Sequence, residues 1–226
     1  MAFELSNTVP WGRNLNEYRS MFRLTEEDLN KRIIGFGDGP ASFNAQMTQL
    51  RKSVVSIDPI YRFTVAELEQ RINQTKGIVM EQIKNNVDKF VWTKIRTLEE
   101  LEAIRLAAMS HFLEDFEKGK QEFRYLDHEL PARTTFEDLS FELGLSSHFL
   151  LLYSQLGLDF HLSTLTEMLR LCKQVRIFPI LNLNAEQSEL LVHVMKRFAL
   201  NFTVEIVNVE YQFQRNGNQM LQITHR

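Results

Sequence analysis

Gly35, Gly37 and Gly39 alternate with Phe36 and Asp38 in "RIIGFGDGPASF", directly after two isoleucines. The chain holds nine glycines in 226 residues. Three of them in five positions cost backbone entropy and need a reason. Either the chain turns sharply there, or a ligand approaches the backbone closely. Asp58 ends the β-branched run "SVVSID", about 20 residues beyond Gly37, the distance at which an acid accepts bonds from ribose hydroxyls. Turn and acid together point to a nucleoside-containing ligand. A second group worth attention is Ser146, Ser147 and His148 in "LSSHF", with Tyr153 one turn further on. Histidine titrates near neutrality, so His148 can serve as a base or a substrate-orienting donor. Capping the next helix or satisfying buried carbonyls is the plainer role for it. His111, His128, His161 and His193 lack metal-ligand spacing, so no metal is expected.

These residues need elements to hold them. Arg32 to Phe36 reads as a short buried strand, Ser42 to Leu50 as a helix and Ser53 to Asp58 as a second strand. The glycines therefore sit in the first strand-to-helix turn of a βαβ unit. Ligands of open α/β sheets bind there, with the backbone N–H groups of the following helix facing them. Residues 1–30 form a separate N-terminal helical segment, opened at Thr25 by an acid three residues on. Capping boxes at Thr64–Glu67 and Thr97–Glu100 start two long helices within 64–120. One helix suffices for a parallel crossover, so this stretch reads as an insertion or cap. Its aromatic residues, Phe90, Trp92, Phe112, Phe116, Phe123 and Tyr125, line a lid or pack as ordinary helix core. Strands follow at 122–126, 139–145 and 175–181, with helices at 150–156, 164–173 and 186–199. The tail holds two strands around Asn216-Gly217, a dipeptide that favours a type I′ hairpin turn. The fold class is α/β: a Rossmann-like, seven-stranded, mostly parallel sheet with an antiparallel C-terminal hairpin strand, plus a helical insertion.

Composition sets outer bounds. Hydrophobic content of 44% and charged content of 24% suit a globular chain with a sizeable core. Net charge is −3, which gives no basic surface for nucleic acid or an anionic membrane. Cys172 is the single cysteine, so an internal disulfide is excluded. "MAFELSNTVP" lacks the basic start and apolar run of a signal peptide, and the expected location is cytoplasmic.

The dinucleotide fingerprint carries a third glycine where this chain has Ser42, and the C-terminal hairpin fits poorly with an all-parallel dinucleotide sheet. Both features instead resemble the class I S-adenosylmethionine-dependent methyltransferases. "GFGDGPASF" resembles their first motif, "VVSIDPIY" the second, and "FELGLSSHFLLLY" the fourth strand and its loop. The resemblance spans roughly residues 30 to 226. "DPIY" together with "SHFLLLY" resembles a bacterial group of methyltransferase-like proteins of unassigned substrate. The resemblance implies S-adenosylmethionine as cofactor and a methyl acceptor, which the charge leaves as a small molecule. Gly35, Phe36, Gly37, Asp38, Gly39, Pro40 and Ser42 would meet the cofactor's methionine part. Asp58 would hold its ribose, next to Pro59, and Tyr61 would pack on the adenosine or in the core. Asp127 in "YLDHELP" stands for the acid after the third strand, and Ser146 completes the cofactor set. Ser147, His148 and Tyr153 would face the methyl group. The family usually carries an acid where this chain has Gly35, and Asp38 is the nearby substitute. On that basis Gly35→Asp is expected to tighten cofactor binding. Two other readings remain: a non-catalytic cofactor-binding protein, favoured by Gly35, and a nicotinamide-dependent oxidoreductase, disfavoured by Ser42 and the hairpin.

Overall fold

The computed structural model describes residues 11–226. The first ten residues of the expected 1–30 segment lie outside the described residues. Helices α1 (Leu15–Phe22) and α2 (Glu26–Leu29) come first, followed by strand β1 (Ile33–Phe36), α3 (Phe43–Gln49) and β2 (Val54–Ile57). Then come α4 (Val65–Lys84), α5 (Leu98–Gln121), β3 (Tyr125–Leu126) and β4 (Phe141–Ser147). The chain ends with α6 (Leu158–Leu171), β5 (Cys172–Phe178), α7 (Leu191–Phe198), β6 (Phe202–Asn208) and β7 (Gln219–His225).

Among the described residues, seven strands form one sheet in the order β3-β2-β1-β4-β5-β7-β6. β1 pairs in parallel with β2 and β4, and the sheet continues in parallel to β3 and β5. Only β7 runs against its neighbours β5 and β6. The order reverses at β1, so the turn after β1 opens on the crevice where such sheets take ligands. The expected mixed sheet and its antiparallel C-terminal strand are both present.

Alternation along the strands feeds two cores. Ile33, Leu143 and Leu145 pack with Tyr18, Met21 and Phe22 of α1 and Phe43 of α3. Ile34, Phe36, Val175 and Ile177 pack with Leu165, Met168, Val194 and Phe198 of α6 and α7. Tyr18 stacks on Phe43 with ring centroids 4.2 Å apart, so α1 joins the same core as the sheet. The Thr64–Glu67 pair closes a reciprocal capping box on α4, and the Thr97 side chain accepts from Glu100 N on α5.

Several expected elements are corrected. Residues 150–156 do not form a helix: Leu151 has φ 68° and only Ser154–Leu156 makes a 3₁₀ turn. A left-handed residue breaks the helical ladder, and Leu150 to Tyr153 are buried in succession rather than along one stripe. Thr164 does not open a helix. It is buried in the middle of α6, while Glu167 accepts from Thr134 N at 2.9 Å. β5 starts at Cys172, three residues earlier than expected, and ends before Pro179. β4 runs to Ser147, two residues further than expected. α7 begins at Leu191 because residues 181–188 fold back, with Ser188 N donating to Ile180 O. Asn216-Gly217 is no tight hairpin turn. Asn208 pairs with Gln219, so the whole of 209–218 connects the strands, and only Asn216 of the dipeptide has positive φ.

Candidate ligand cavity

The turn after β1 forms one wall of a cavity of about 390 Å³, in the range of small-molecule sites. Gly37 (φ 68°) and Gly39 (φ 56°) both adopt left-handed backbone. A Cβ on Gly37 would lie 2.7 Å from the Phe149 ring, whereas one on Gly39 would meet nothing within 4 Å. Gly37 is thus required for packing, and Gly39 leaves open space on the cavity side. The sharp turn offered as one reason for the glycine run is present at both glycines, and the open space at Gly39 leaves room for a ligand.

Gly35 has a third reason. A Cβ there would fall 1.8 Å from Asp38 Oδ2. The Asp38 carboxylate occupies the place of a side chain at position 35, held by the Tyr18 hydroxyl at 2.8 Å and Ser56 Oγ at 2.6 Å. This overturns the expected gain from Gly35→Asp, since a second carboxylate would displace the first. Gly35→Ala alone is expected to lower Tm and weaken S-adenosylhomocysteine binding. Differential scanning fluorimetry and calorimetric titration read both, and an unchanged Tm would show that Asp38 is free to move.

Asp58 follows β2 and lies across the same turn. Its Oδ2 accepts from Gly39 N and its Oδ1 from Ile60 N, both at 2.9 Å. Burial pushes Asp38 and Asp58 each up to about 6, against the pull of these donors. The expectation that N–H groups of the following helix face the ligand is corrected at its N-cap, Ser42, and the turn's glycine amides are turned inward as well. Gly37 N donates to Ile57 O, Gly39 N to Asp58, and Ser42 N to Arg13 O. Those amides are spent inside the protein, and carboxylates line the wall in their place.

Of the expected residues, Gly37, Asp38, Gly39, Pro40, Asp58, Pro59, Ser147, His148 and Tyr153 line the cavity together. Others stand elsewhere. Phe36 is fully buried in the core, and Gly35 lies behind Asp38. Ser42 is buried and donates to Gln46 Oε1 at 3.0 Å. Tyr61 packs against Phe112, Phe116 and Tyr125, its hydroxyl on Gly39 O at 2.9 Å, while Ile60 lines the cavity instead. Asp127 is exposed and pairs with Arg62 at 3.2 Å, and Glu129 rather than Asp127 reaches the lining. Ser146 alternates with Ser147 along β4 and is buried without a hydrogen-bond partner. The aromatic residues of 64–120 and of the turn after it divide. Phe112 and Phe116 are core, Phe90 reaches the cavity with Phe213 stacked on it at 4.9 Å, and Phe123 is exposed.

His148 leaves β4 in left-handed backbone, φ 54°, an uncommon conformation for a residue with a side chain. Its N–H donates to Phe178 O, and its Nδ1 lies 2.9 Å from Ser147 Oγ. Burial, reinforced by Arg13 and Arg105, pushes its pKa well below the ordinary histidine value, so it is neutral around pH 7.

The rest of the lining includes residues that sequence reasoning missed. Trp11 and Arg13 precede α1, Arg105 lies on α5, and Tyr211 and Phe213 belong to the β6–β7 connection. Arg105 is fully buried, its Nη1 donating to both oxygens of Glu17 at 2.6 and 2.7 Å. Arg105 was the readable signal. It continues the stripe of Leu101, Ala108 and Phe112, where a charged residue needs a partner.

Comparison with solved structures gives the class. The methyltransferase domain of bacterial CtHen1 superposes with a TM-score of 0.51 at 13% identity, over 93% of this chain and 100% of that one. The chain thus has the class I methyltransferase fold. The pyocyanin biosynthetic protein PhzM aligns with a TM-score of 0.49 at 11% identity, over 94% of this chain and 55% of that one. No family model matches. The uncharacterized protein MJ0045 of Methanocaldococcus jannaschii is 33% identical over 222 residues, 96% of each chain. The chain belongs to the family of MJ0045.

Proposed function

We propose that the chain is an S-adenosylmethionine-dependent methyltransferase acting on a small-molecule acceptor. The observation that carries this reading is the pair of carboxylates, Asp38 and Asp58, at a turn whose Gly37 and Gly39 amides are bonded within the protein. A pyrophosphate would meet negative charge there and find those donors occupied. A ligand with an ammonium group and ribose hydroxyls finds acceptors. The cavity fits it: open space at Gly39, a buried acid on each side, and apolar walls. Gly35, the feature that favoured a non-catalytic protein, is accounted for by Asp38 in its place.

S-adenosylmethionine supplies an electrophilic sulfonium methyl group when bound. Asp58 would accept from the ribose hydroxyls through the lone pairs that Gly39 and Ile60 leave free, and Asp38 would meet the amino group. His148 takes up the acceptor's proton. Its Nδ1 lies against Ser147 Oγ, and Nε2 would be the basic atom. Phe149, Phe178 and Leu152 exclude water, and alignment within such a site supplies a large part of the rate.

Both acids ionise near pH 6 in the free protein, above the ordinary aspartate value of 3.8. The raised folded values mean that the ligand-free fold is favoured with these acids protonated and loses that advantage as pH rises through about 6. Hydroxyl and ammonium donors favour the ionised form. Binding therefore releases protons, and S-adenosylhomocysteine is expected to bind more tightly at pH 7.5 than at pH 5. Calorimetry in buffers of different ionisation enthalpy measures the release. In the same assay Asp58→Ala should weaken binding at least tenfold, about 1.4 kcal/mol. Unchanged affinity in a folded Asp58→Ala protein rejects the assignment.

A further inference from the structure

The part of the lining formed by Arg13 and Arg105 is basic. Arg105 binds Glu17 with Nη1, and its Nη2 lies 3.3 Å from the Tyr211 hydroxyl, which itself donates to Glu17 Oε1 at 3.0 Å. Arg13 stands beside them, its Nη1 donating to Trp11 O and its Nε 3.9 Å from Glu17 Oε1, outside hydrogen-bond range. The Nε atoms of both arginines are buried and have no hydrogen-bond partner. Two guanidinium groups thus share one carboxylate, next to a neutral His148. A buried charge without a full partner is costly, and an unsatisfied buried donor calls for an explanation. Around this surplus positive charge the cavity is aromatic, with Trp11, Phe90, Phe178 and Phe213.

We infer that this cluster binds the carboxylate of an aromatic methyl acceptor, the apolar body lying against the rings and the single negative charge meeting Arg13, the accessible arginine, in front of the fully buried Arg105. The inference rests on the methyltransferase reading for the word acceptor. The recognition itself rests on the cluster. A monoanion matches the charge: two arginines less one glutamate leave one unit positive. Burial and the neighbouring Arg105 also lower the Arg13 pKa.

The probes are benzoate and 1-naphthoate, each with its uncharged amide, titrated into the protein with and without saturating S-adenosylhomocysteine. At least one carboxylate is expected to bind ten times more tightly than its amide. The preference should vanish in Arg13→Gln and survive in part in Arg13→Lys, with Tm confirming that both variants fold. Carboxylates that bind no better than their amides, or a preference that survives Arg13→Gln, overturn the inference. Phenyl phosphate binding more tightly than benzoate overturns the monoanion. The competing source of a carboxylate is the cofactor's own amino-acid end. If Arg13→Gln weakens S-adenosylhomocysteine tenfold but spares 5′-methylthioadenosine, which lacks that end, the cluster serves the cofactor and the inference fails. A wild-type protein that does not bind S-adenosylhomocysteine removes the methyltransferase reading, while the carboxylate preference is still read on the ligand-free protein.

Discussion

Arg105→Met is expected to destabilise the folded chain by about 3–5 kcal/mol, the cost of removing one partner of a buried ion pair. Methionine fills much of the aliphatic space of arginine, so the loss is mainly electrostatic. Glu17 would keep its bonds from Tyr211 and Asn14 N but lose the bidentate donor. It would then lie buried with only the more distant Arg13 against it. For a chain of this size each kcal/mol moves Tm by about 2–4 °C, so a fall of roughly 10 °C is expected. The double variant Glu17→Gln/Arg105→Met should recover more than half of it, because the uncompensated charge is gone. Chemical denaturation of the three variants measures this directly. A single variant as stable as the parent would mean that Glu17 finds water or a proton without cost.

His148→Ala is expected to lower turnover of an accepted substrate by about 10²-fold, the lower end for a lost acid–base group. S-adenosylhomocysteine affinity should move little. His148→Gln separates two roles: an amide still donates but cannot take up a proton, so partial recovery indicates positioning and no recovery indicates a base. The pH dependence is informative because of burial. From sequence, His148 looks like a group whose protonation near neutrality shuts the reaction down. In the cavity its pKa lies well below that range. With cofactor saturating, the rate should hold as pH falls through about 6.5, where an ordinary histidine is half protonated. A rate that halves there contradicts the assignment of the base.

The parts of this molecule legible in its sequence are those set by local chemistry. β1, the glycine turn and β2 form a β-branched, glycine-punctuated unit, and they fall within a residue or two of expectation. The starts of α4 and α5 follow from Thr64 and Thr97, whose hydroxyls meet amides three residues on. Asp58 was found by spacing alone, and it does line the cavity. What could not be read depends on contacts between distant segments. Asp38 fills the space of Gly35 only because Tyr18 and Ser56 hold it there. The basic wall joins Arg13, Glu17, Arg105 and Tyr211, which come from three separate parts of the chain. Leu150 to Tyr153 looked helical by composition, and the turn at Leu151 is decided by burial on every side. Tyr61 shows the limit of spacing: it follows Asp58 as a cofactor-stacking residue would, yet its ring belongs to the Phe112–Phe116 core.

The most direct test is calorimetric titration of the wild-type protein with S-adenosylhomocysteine and, separately, with NAD at pH 7.5. From the paired acids and the bonded Gly37 and Gly39 amides we predict saturable binding of S-adenosylhomocysteine at one site per chain and no saturable binding of NAD. Binding of NAD in preference, or of neither ligand by a folded protein, would contradict the assignment of this cavity as a methyl-donor site.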